Sequence, residues 1–213
     1  AVAYGARKLH IVTGGHTDAI TGKDCHWNAF RVCNTTTMDA TAIATTLMEE
    51  FGKKWYFLTP DYAYGHSVQA GFEKLLKAAG GTSAGSLVPL GTPDYSAYLI
   101  QAKAYNPQVL INVMGGNDQV SSLKQFVQFG LDKQMAVGGT LFELESLHAV
   151  PDAARVGWWT MEWWWDQPDN PHVAEFNAAM KKITGSAATA RHWFGYASVQ
   201  TLALIANQEK TLD

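Results

Sequence analysis

The stretch from Trp55 to Gly81, WYFLTPDYAYGHSVQAGFEKLLKAAGG, contains the signals of a strand, a turn and a helix in immediate succession. Lys54–Thr59 is an apolar run rich in aromatic side chains, and Pro60, which cannot donate to a strand ladder, ends it. Over Gly65–Ala79, apolar residues recur every three or four positions, which predicts an amphipathic helix. Gly80-Gly81 is a typical helix end. The stretch therefore predicts one β–turn–α unit.

The same alternation extends along the chain. Strands are predicted at Lys8–Val12, Ser86–Pro89, Gln108–Val113, Gln134–Val137 and Val156–Glu162. Helices are predicted at Thr37–Phe51, Tyr95–Tyr105, Asp118–Phe129, Pro171–Ile183 and Trp193–Ala206. Strands that alternate with helices of this length build βαβ units on a parallel sheet. The predicted fold class is α/β.

The composition is that of a folded, soluble protein. Of 213 residues, 47% are hydrophobic and 16% are charged, and the net charge is −3. No apolar run approaches the length that spans a membrane, and no Lys/Arg cluster indicates a nucleic-acid partner. The chain begins without a start methionine or a charged-then-apolar leader, so we expect any targeting signal to have been removed or to lie outside this sequence.

Catalytic motifs are few. Residues 81–85, GTSAG, match the G-x-S-x-G nucleophile elbow, but that elbow needs a strand before the serine and a helix after it. Here a helix precedes and a strand follows, so we interpret the match as a helix-to-strand turn and expect no enzyme. Walker A, G-x-G-x-x-G and H-E-x-x-H motifs do not occur, and we expect no cofactor.

Two cysteines, Cys25 and Cys33, lie eight residues apart in a loop-like stretch. They are compatible with a disulfide in an oxidising compartment or with a pair of reduced thiols. A metal site that joins them to His16 and His26 does not match the C-x2–4-C spacing of structural zinc sites, so no metal is predicted.

Glycine pairs follow three predicted strands, at Gly14-Gly15, Gly115-Gly116 and Gly138-Gly139, and Asp61–Gly65 follows a fourth. Ligands of open α/β sheets bind at the carboxyl ends of the strands. The pairs thus indicate a ligand cleft, although tight turns alone would also require glycine. The tryptophans at positions 158–159 and 163–165 offer either stacking surface for a ligand or packing for an interface.

Together with residues 55–81, the segment 89–131, PLGTPDYSAYLIQAKAYNPQVLINVMGGNDQVSSLKQFVQFGL, and the segment 192–206, HWFGYASVQTLALIA, resemble the type I periplasmic binding proteins. These are leucine/isoleucine/valine-binding-protein-like solute receptors of ABC transporters. The resemblance covers essentially the whole chain. It implies two Rossmann-like lobes with parallel sheets, crossed three times by the chain, with the solute bound between them.

The resemblance also implies a domain plan. Residues 1–51 would be part of lobe one, 52–161 would be lobe two, and 162–213 would return into lobe one. Against the family layout, the chain lacks much of the beginning of lobe one and the C-terminal return.

The resemblance implies binding residues position by position. Gly14, Gly15, His16 and Thr17 match the lobe-one turn that holds the solute's carboxylate, and Tyr64 matches the tyrosine that packs over the solute. The remaining matched positions, at further strand ends and before the last helix, are Gly115, Gly116, Asn117, Thr140 and Arg191.

Two departures from the family pattern bear on the solute. The acid that pairs with an amino group would fall near Gly139-Thr140, where none occurs, and Glu143 and Glu145 are the nearest. Arg191 replaces an apolar residue and can form a bidentate pair with a carboxylate. Because a buried ammonium without a carboxylate is costly, we predict a carboxylate- or amide-bearing solute without an ammonium group, with an aromatic ring stacked on Tyr64 or on the tryptophans.

Alternatives remain open at this point. Arg191 can instead form a structural salt bridge with Asp18 or Glu162, the solute then being a branched-chain amino acid, and other small polar solutes such as amides are a third option. The implied function is solute capture by hinge closure in the periplasm, after cleavage of a signal peptide, by a monomer that serves an ABC permease. Rival classes are a ligand-sensing receptor domain and, less favoured, an α/β enzyme.

Overall fold

The computed structural model describes residues 2–210, which form two compact units. One unit runs up to Asn34 and resumes at Glu162, and the other is Thr35–Met161. The strands are β1 (His10–Val12), β2 (Ala29–Arg31), β3 (Lys54–Pro60), β4 (Thr82–Val88), β5 (Val109–Asn112), β6 (Ala136–Gly139) and β7 (Trp158–Trp159). The helices are α1 (Val2–Gly5), α2 (Thr36–Phe51), α3 (Ala63–Ala78), α4 (Ser96–Tyr105), α5 (Gly116–Gln128), α6 (Leu144–Ala149), α7 (Pro171–Thr184) and α8 (Ala190–Glu209). None of these helices is long and apolar enough to cross a membrane.

The second unit is a five-stranded parallel sheet in the order β4-β3-β5-β6-β7. Alternate residues of β3 enter two separate cores: Trp55 and Phe57 pack with α2 and α3 on one face, and Tyr56 and Leu58 pack with α4 and α5 on the other. Because both faces of the sheet are covered, residues Trp55–Leu58 of β3 form a continuous hydrophobic run instead of alternating with polar residues. The predicted α/β class with parallel strands is confirmed.

The first unit contains a two-stranded parallel sheet, β1-β2, with helices α7 and α8. Its core joins Val12 and Cys33 to Ala190 and Phe194. The rings of Trp163 and Trp193 stack on each other, with their centroids 5.6 Å apart, and both pack against this core. A short helical turn, Asp18–Ile20, follows β1.

Two predictions about the elements need correction, and three elements were not predicted. The GTSAG match is not a turn, because Thr82–Gly85 already belongs to β4 and Ser83 lies in register with Trp55. Strand β2 and helices α1 and α6 were not predicted. The predicted strand at Val156–Glu162 shortens to the two residues of β7.

The boundary predicted at residues 51/52 also differs from the structure. Helix α2 lies in the second unit, where Ile43, Ala44 and Leu47 pack against Trp55 and Phe72. The chain therefore passes from one unit to the other at 34/35, before this helix, because the apolar stripe of α2 is buried on the sheet of the second unit.

Candidate solute-binding residues at the strand ends

In the first unit, the turn that follows β1 is held by an arginine at the end of β2. Arg31 Nη1 donates to the carbonyl of Gly15 at 2.8 Å, and Nη2 donates to the carbonyl of Thr17 at 2.7 Å. Because β1 and β2 are parallel, their carboxyl ends lie at the same edge, so the last residue of β2 reaches the turn after β1. No pattern in the sequence indicated that Arg31 holds this turn.

His16 is the buried side chain of this turn, with only 5% of its surface exposed. Its Nδ1 lies 3.0 Å from the carbonyl oxygen of Asn34. A carbonyl only accepts hydrogen bonds, so Nδ1 carries the hydrogen and Nε2 presents a lone pair. Arg191 Nη2 lies 3.3 Å from that Nε2 and is its donor.

Arg191 lies in the first turn of α8 and makes a salt bridge to Glu162. Its Nη2 is 2.9 Å from Glu162 Oε2, and the Glu162 side chain has no exposed surface. Its Nη1 donates to the carbonyl of Thr13 at 3.1 Å. Glycine at residue 14 gives the guanidinium room, since a Cβ there would lie 3.2 Å from Nη1 and the guanidinium would have to shift slightly. The salt bridge to Glu162, one of the two alternatives for Arg191, is therefore formed.

Burial is the main cause that lowers the pKa of His16 from 6.5 to about 4, and the positive charge of Arg191 adds to it. The hydrogen bond to the Asn34 carbonyl opposes the lowering of this pKa, and the positive charge of Arg31 adds to it. His16 is consequently neutral at pH 7.

This pKa predicts an acid-sensitive fold. The unfolded chain binds a proton at His16 near pH 6.5 and the folded chain only near pH 4. The free energy of unfolding should therefore fall by on the order of 2–3 kcal/mol as the pH drops from 7 to 4. Urea denaturation at a series of pH values measures this loss. In a His16→Asn variant the loss within this window should shrink, and an unchanged pH dependence would contradict the assignment.

Cys33 lies behind the same turn, buried next to Val12, and its Sγ is 3.7 Å from the carbonyl oxygens of Val12 and Gly15. Cys25 is exposed, and both cysteines are free. The disulfide considered in the sequence analysis is therefore wrong, because Cys33 points into the core while Cys25 lies on the surface. Burial, followed by the negative charge of Glu162, raises the pKa of the Cys33 thiol.

We expect one fast thiol in the native protein and two after unfolding. Cys25 should react with a disulfide reagent such as DTNB at the rate of an exposed thiol, and Cys33 should react only when the chain opens, because its thiol is buried and its thiolate is disfavoured. A Cys25→Ser variant should lose the fast phase. No thiol after unfolding without reductant would contradict the structure.

In the second unit, two predicted site residues are brought together. The Tyr64 hydroxyl, in the first turn of α3, lies 3.2 Å from Oγ1 of Thr140, which follows β6 and is buried. Residue 139 has no room for a side chain, because a Cβ there would lie 2.4 Å from the carbonyl oxygen of Asn112 and 2.9 Å from the Trp159 ring. The absence of an acid at this position thus has a steric cause.

The third predicted group, Gly115, Gly116 and Asn117, is exposed at the carboxyl end of β5, where α5 begins. Gly116 has a φ of 55°, which favours glycine. The tryptophans have different environments. Trp163 packs against the core of the first unit, Trp159 packs on Phe142 in the second, and Trp164 is 37% exposed.

These features are those of an α/β ligand-binding protein: in each unit, polar groups and glycines lie at the carboxyl ends of parallel strands, where such sheets bind ligands. The model of the periplasmic binding protein family matches residues 1–213, and the chain belongs to this family. The predicted membership is confirmed. Membership implies an extracytoplasmic location.

Solved structures agree with this. A periplasmic binding protein from Burkholderia mallei superposes with a TM-score of 0.92 at 24% identity, over 99% of this chain and 56% of that protein. A branched-chain amino acid ABC transporter ligand-binding protein from Burkholderia xenovorans gives 0.83 at 25% identity, over 99% and 56%. A Rhodopseudomonas palustris ABC transporter solute-binding protein in complex with 3,4-dihydroxybenzoic acid gives 0.79 at 26% identity, over 98% and 57%.

The chain thus spans little more than half the length of these structures. No curated protein sequence matches it. The family and these neighbours are solute-binding proteins, not enzymes.

Proposed function

We propose that the chain belongs to the solute-capturing component of an ABC importer and takes a small solute that carries a carboxylate or an amide but no ammonium group. The observation that carries this proposal is the turn after β1 with the Arg191 guanidinium beside it. The guanidinium has five N–H donors. Three of them are used in its contacts to Thr13, His16 and Glu162. The side chain is 42% exposed, so donors remain for a solute.

The charges of the site support the exclusion of an ammonium group. Glu162, whose carboxylate lies 3.3 Å from His16 Nδ1, is already neutralised by Arg191. At the end of β6, the steric limit at Gly139 prevents an acid at that position. A solute ammonium would consequently lose water without gaining a carboxylate, which is costly. A carboxylate or amide oxygen needs only N–H donors.

One of the neighbours supports an aromatic solute as the form of this proposal. The Rhodopseudomonas palustris protein, at 26% identity, was solved with 3,4-dihydroxybenzoic acid. Tyr64 provides a ring at the carboxyl edge of the second unit, with the Tyr62 ring 5.8 Å away. The second candidate, a branched-chain amino acid, is supported by the Burkholderia xenovorans neighbour at 25% identity and by the Arg191–Glu162 salt bridge.

A thermal-shift panel separates these candidates. Benzoate, 3,4-dihydroxybenzoate and benzamide are compared with leucine, isoleucine and valine. A ligand at 100 times its dissociation constant stabilises the folded state by about 2.7 kcal/mol, which raises the melting temperature by several degrees. We expect shifts with the ammonium-free compounds alone. Shifts with the amino acids alone would favour the second candidate.

Arg191→Lys tests whether the guanidinium beside the turn binds the solute. Lysine keeps the positive charge next to Glu162 but lacks the planar pair of N–H donors of the guanidinium. We expect carboxylate affinity to fall by about tenfold, the equivalent of about 1.4 kcal/mol. The matched control is Arg155→Lys, which changes an exposed salt bridge with Asp152 in the second unit. Equal affinity in the Arg191→Lys and Arg155→Lys variants would refute a role of the guanidinium in binding.

In the second unit, Thr140→Val removes the hydroxyl partner of Tyr64 while it keeps the side-chain volume. If Tyr64 must be oriented to pack on the solute, affinity should fall in this variant with little change in stability. The partner permease, the hinge closure and the monomeric state belong to the same proposal.

A further inference from the structure

Three side chains of types that bind metal ions converge behind the turn after β1. Among the described residues, His16, Cys33 and Glu162 place one potential ligand atom each within 4.8 Å of one another. They come from three separate segments: the turn itself, the chain just after β2, and the start of the return into the first unit. All three side chains are nearly or fully buried.

We propose that His16, Cys33 and Glu162 form a binding site for a divalent transition-metal ion of the zinc type, which replaces the Arg191 guanidinium as the partner of the buried carboxylate. Imidazole nitrogen, thiolate sulfur and carboxylate oxygen are the ligands that zinc takes in proteins. Three protein ligands leave a fourth position for water or for a solute oxygen.

The imidazole of His16 is already oriented as a metal ligand. Its Nδ1–H donates to the carbonyl of Asn34 at 3.0 Å, so Nε2 holds the lone pair. Metal-ligating histidines typically donate their other N–H to a carbonyl or carboxylate in this manner, which sets the tautomer and the ring orientation. The lone pair of Nε2 faces Arg191 Nη2 at 3.3 Å. The guanidinium therefore lies where a cation would bind.

The charges balance when the ion replaces the guanidinium. Glu162 and a deprotonated Cys33 supply two negative charges, and neutral His16 adds none, so they neutralise a divalent ion. Binding releases the thiol proton of Cys33 to solvent. The nearby Arg31 is held by its hydrogen bonds to the carbonyls of Gly15 and Thr17.

The structure also shows what must move. Donor atoms around a tetrahedral zinc ion bonded at about 2.0–2.3 Å lie roughly 3.3–3.8 Å apart. Potential ligand atoms of the three residues lie within 4.8 Å of one another, so they must move closer together when an ion binds. Arg191 is 42% exposed and can turn towards solvent, which opens a path to the buried ligands.

Titration of the metal-free chain with Co2+ tests the site directly. A thiolate bound to Co2+ gives a ligand-to-metal charge-transfer band in the near ultraviolet, and a tetrahedral site gives visible d–d bands. We expect both at one ion per chain, and Zn2+ should remove them. Absence of the charge-transfer band would overturn the proposal.

Variants identify the ligands. Cys33→Ser should abolish the charge-transfer band, and Cys25→Ser, which changes the exposed cysteine, should leave it intact. Glu162→Gln removes a direct ligand and its charge, so it should weaken Co2+ binding by at least the roughly 10–100-fold that the loss of an outer partner of a ligand costs. A band that survives Cys33→Ser and disappears in Cys25→Ser would place the ion elsewhere and overturn the proposal.

Competition with the guanidinium provides a second readout that does not depend on the spectrum. Since Arg191 holds Glu162 and His16 in the metal-free chain, Arg191→Ala should increase Zn2+ affinity, and Zn2+ should raise the melting temperature of this variant more than that of the parent chain. An equal or smaller shift in the variant would contradict the exchange of guanidinium for metal. A solute panel that fails would leave these measurements interpretable, because Co2+ and Zn2+ binding are measured in the absence of solute.

Discussion

Arg191→Ala is expected to lower the free energy of unfolding by about 3–5 kcal/mol, the cost of removing one partner of a buried ion pair. Glu162 has no exposed side-chain surface, and its Oε2 would lose a charged donor at 2.9 Å. The same truncation removes the donor to the Thr13 carbonyl and to His16 Nε2. Urea denaturation at pH 7 in the presence of a chelator measures the loss, since the chelator prevents metal from replacing the guanidinium.

The double variant Glu162→Gln with Arg191→Ala is the matched control. Once the carboxylate is gone, no buried charge remains uncompensated, so the double variant should be more stable than Arg191→Ala alone. Glu162→Gln by itself should cost less than Arg191→Ala, because the half-exposed guanidinium can be solvated. A double variant as unstable as Arg191→Ala would show that the loss comes from packing and not from the buried charge.

Gly65→Ala is expected to destabilise the second unit by about 3 kcal/mol, the upper part of the usual range for overpacking. A Cβ at residue 65 would lie 2.0 Å from the carbonyl oxygen of Pro60 and 2.9 Å from its Cγ. That carbonyl cannot turn away without loss, because it accepts a hydrogen bond from the amide of Tyr62 at 2.8 Å. The connection from β3 to α3 is therefore too tight for any residue with a side chain.

Gly195→Ala in α8 is the control for the substitution itself. No atom lies within 4 Å of a Cβ at residue 195. Alanine should therefore stabilise the helix there by about 0.5–1 kcal/mol. Equal urea midpoints for the two variants would contradict the steric argument for Gly65.

The elements of the second unit were predictable from the sequence because they depend on local periodicity. β3 and α3 begin and end within two residues of the predicted bounds, since Pro60 and Gly80 act through the backbone of their own segment. The beginning of β4 was missed because polar and small residues at Thr82–Gly85 carry no strand pattern. Those residues are extended because they pair with β3.

The candidate site was predictable in part. Arg191 contacts Thr13 and His16 at the turn after β1, and Tyr64 contacts Thr140, while the solute-binding role of these residues stays a prediction. The pattern contained no signal for Arg31 as the residue that holds the turn. It left the partner of Arg191 open between Asp18 and Glu162, because a salt bridge between residues 29 positions apart depends on how the return segment packs.

By itself, the sequence determined the α/β class, the alternation of strands and helices, the family and the residue types at the strand ends. These properties follow from residue patterns within short segments of the chain. The tertiary structure alone decided that Cys33 is buried and unpaired, that α2 belongs to the second unit, and that His16, Cys33 and Glu162 converge. The physical reason is that burial and long-range contacts arise from the parallel register of β1 and β2 and from the packing of the returning segment. Neither can be predicted from the local pattern of a single sequence.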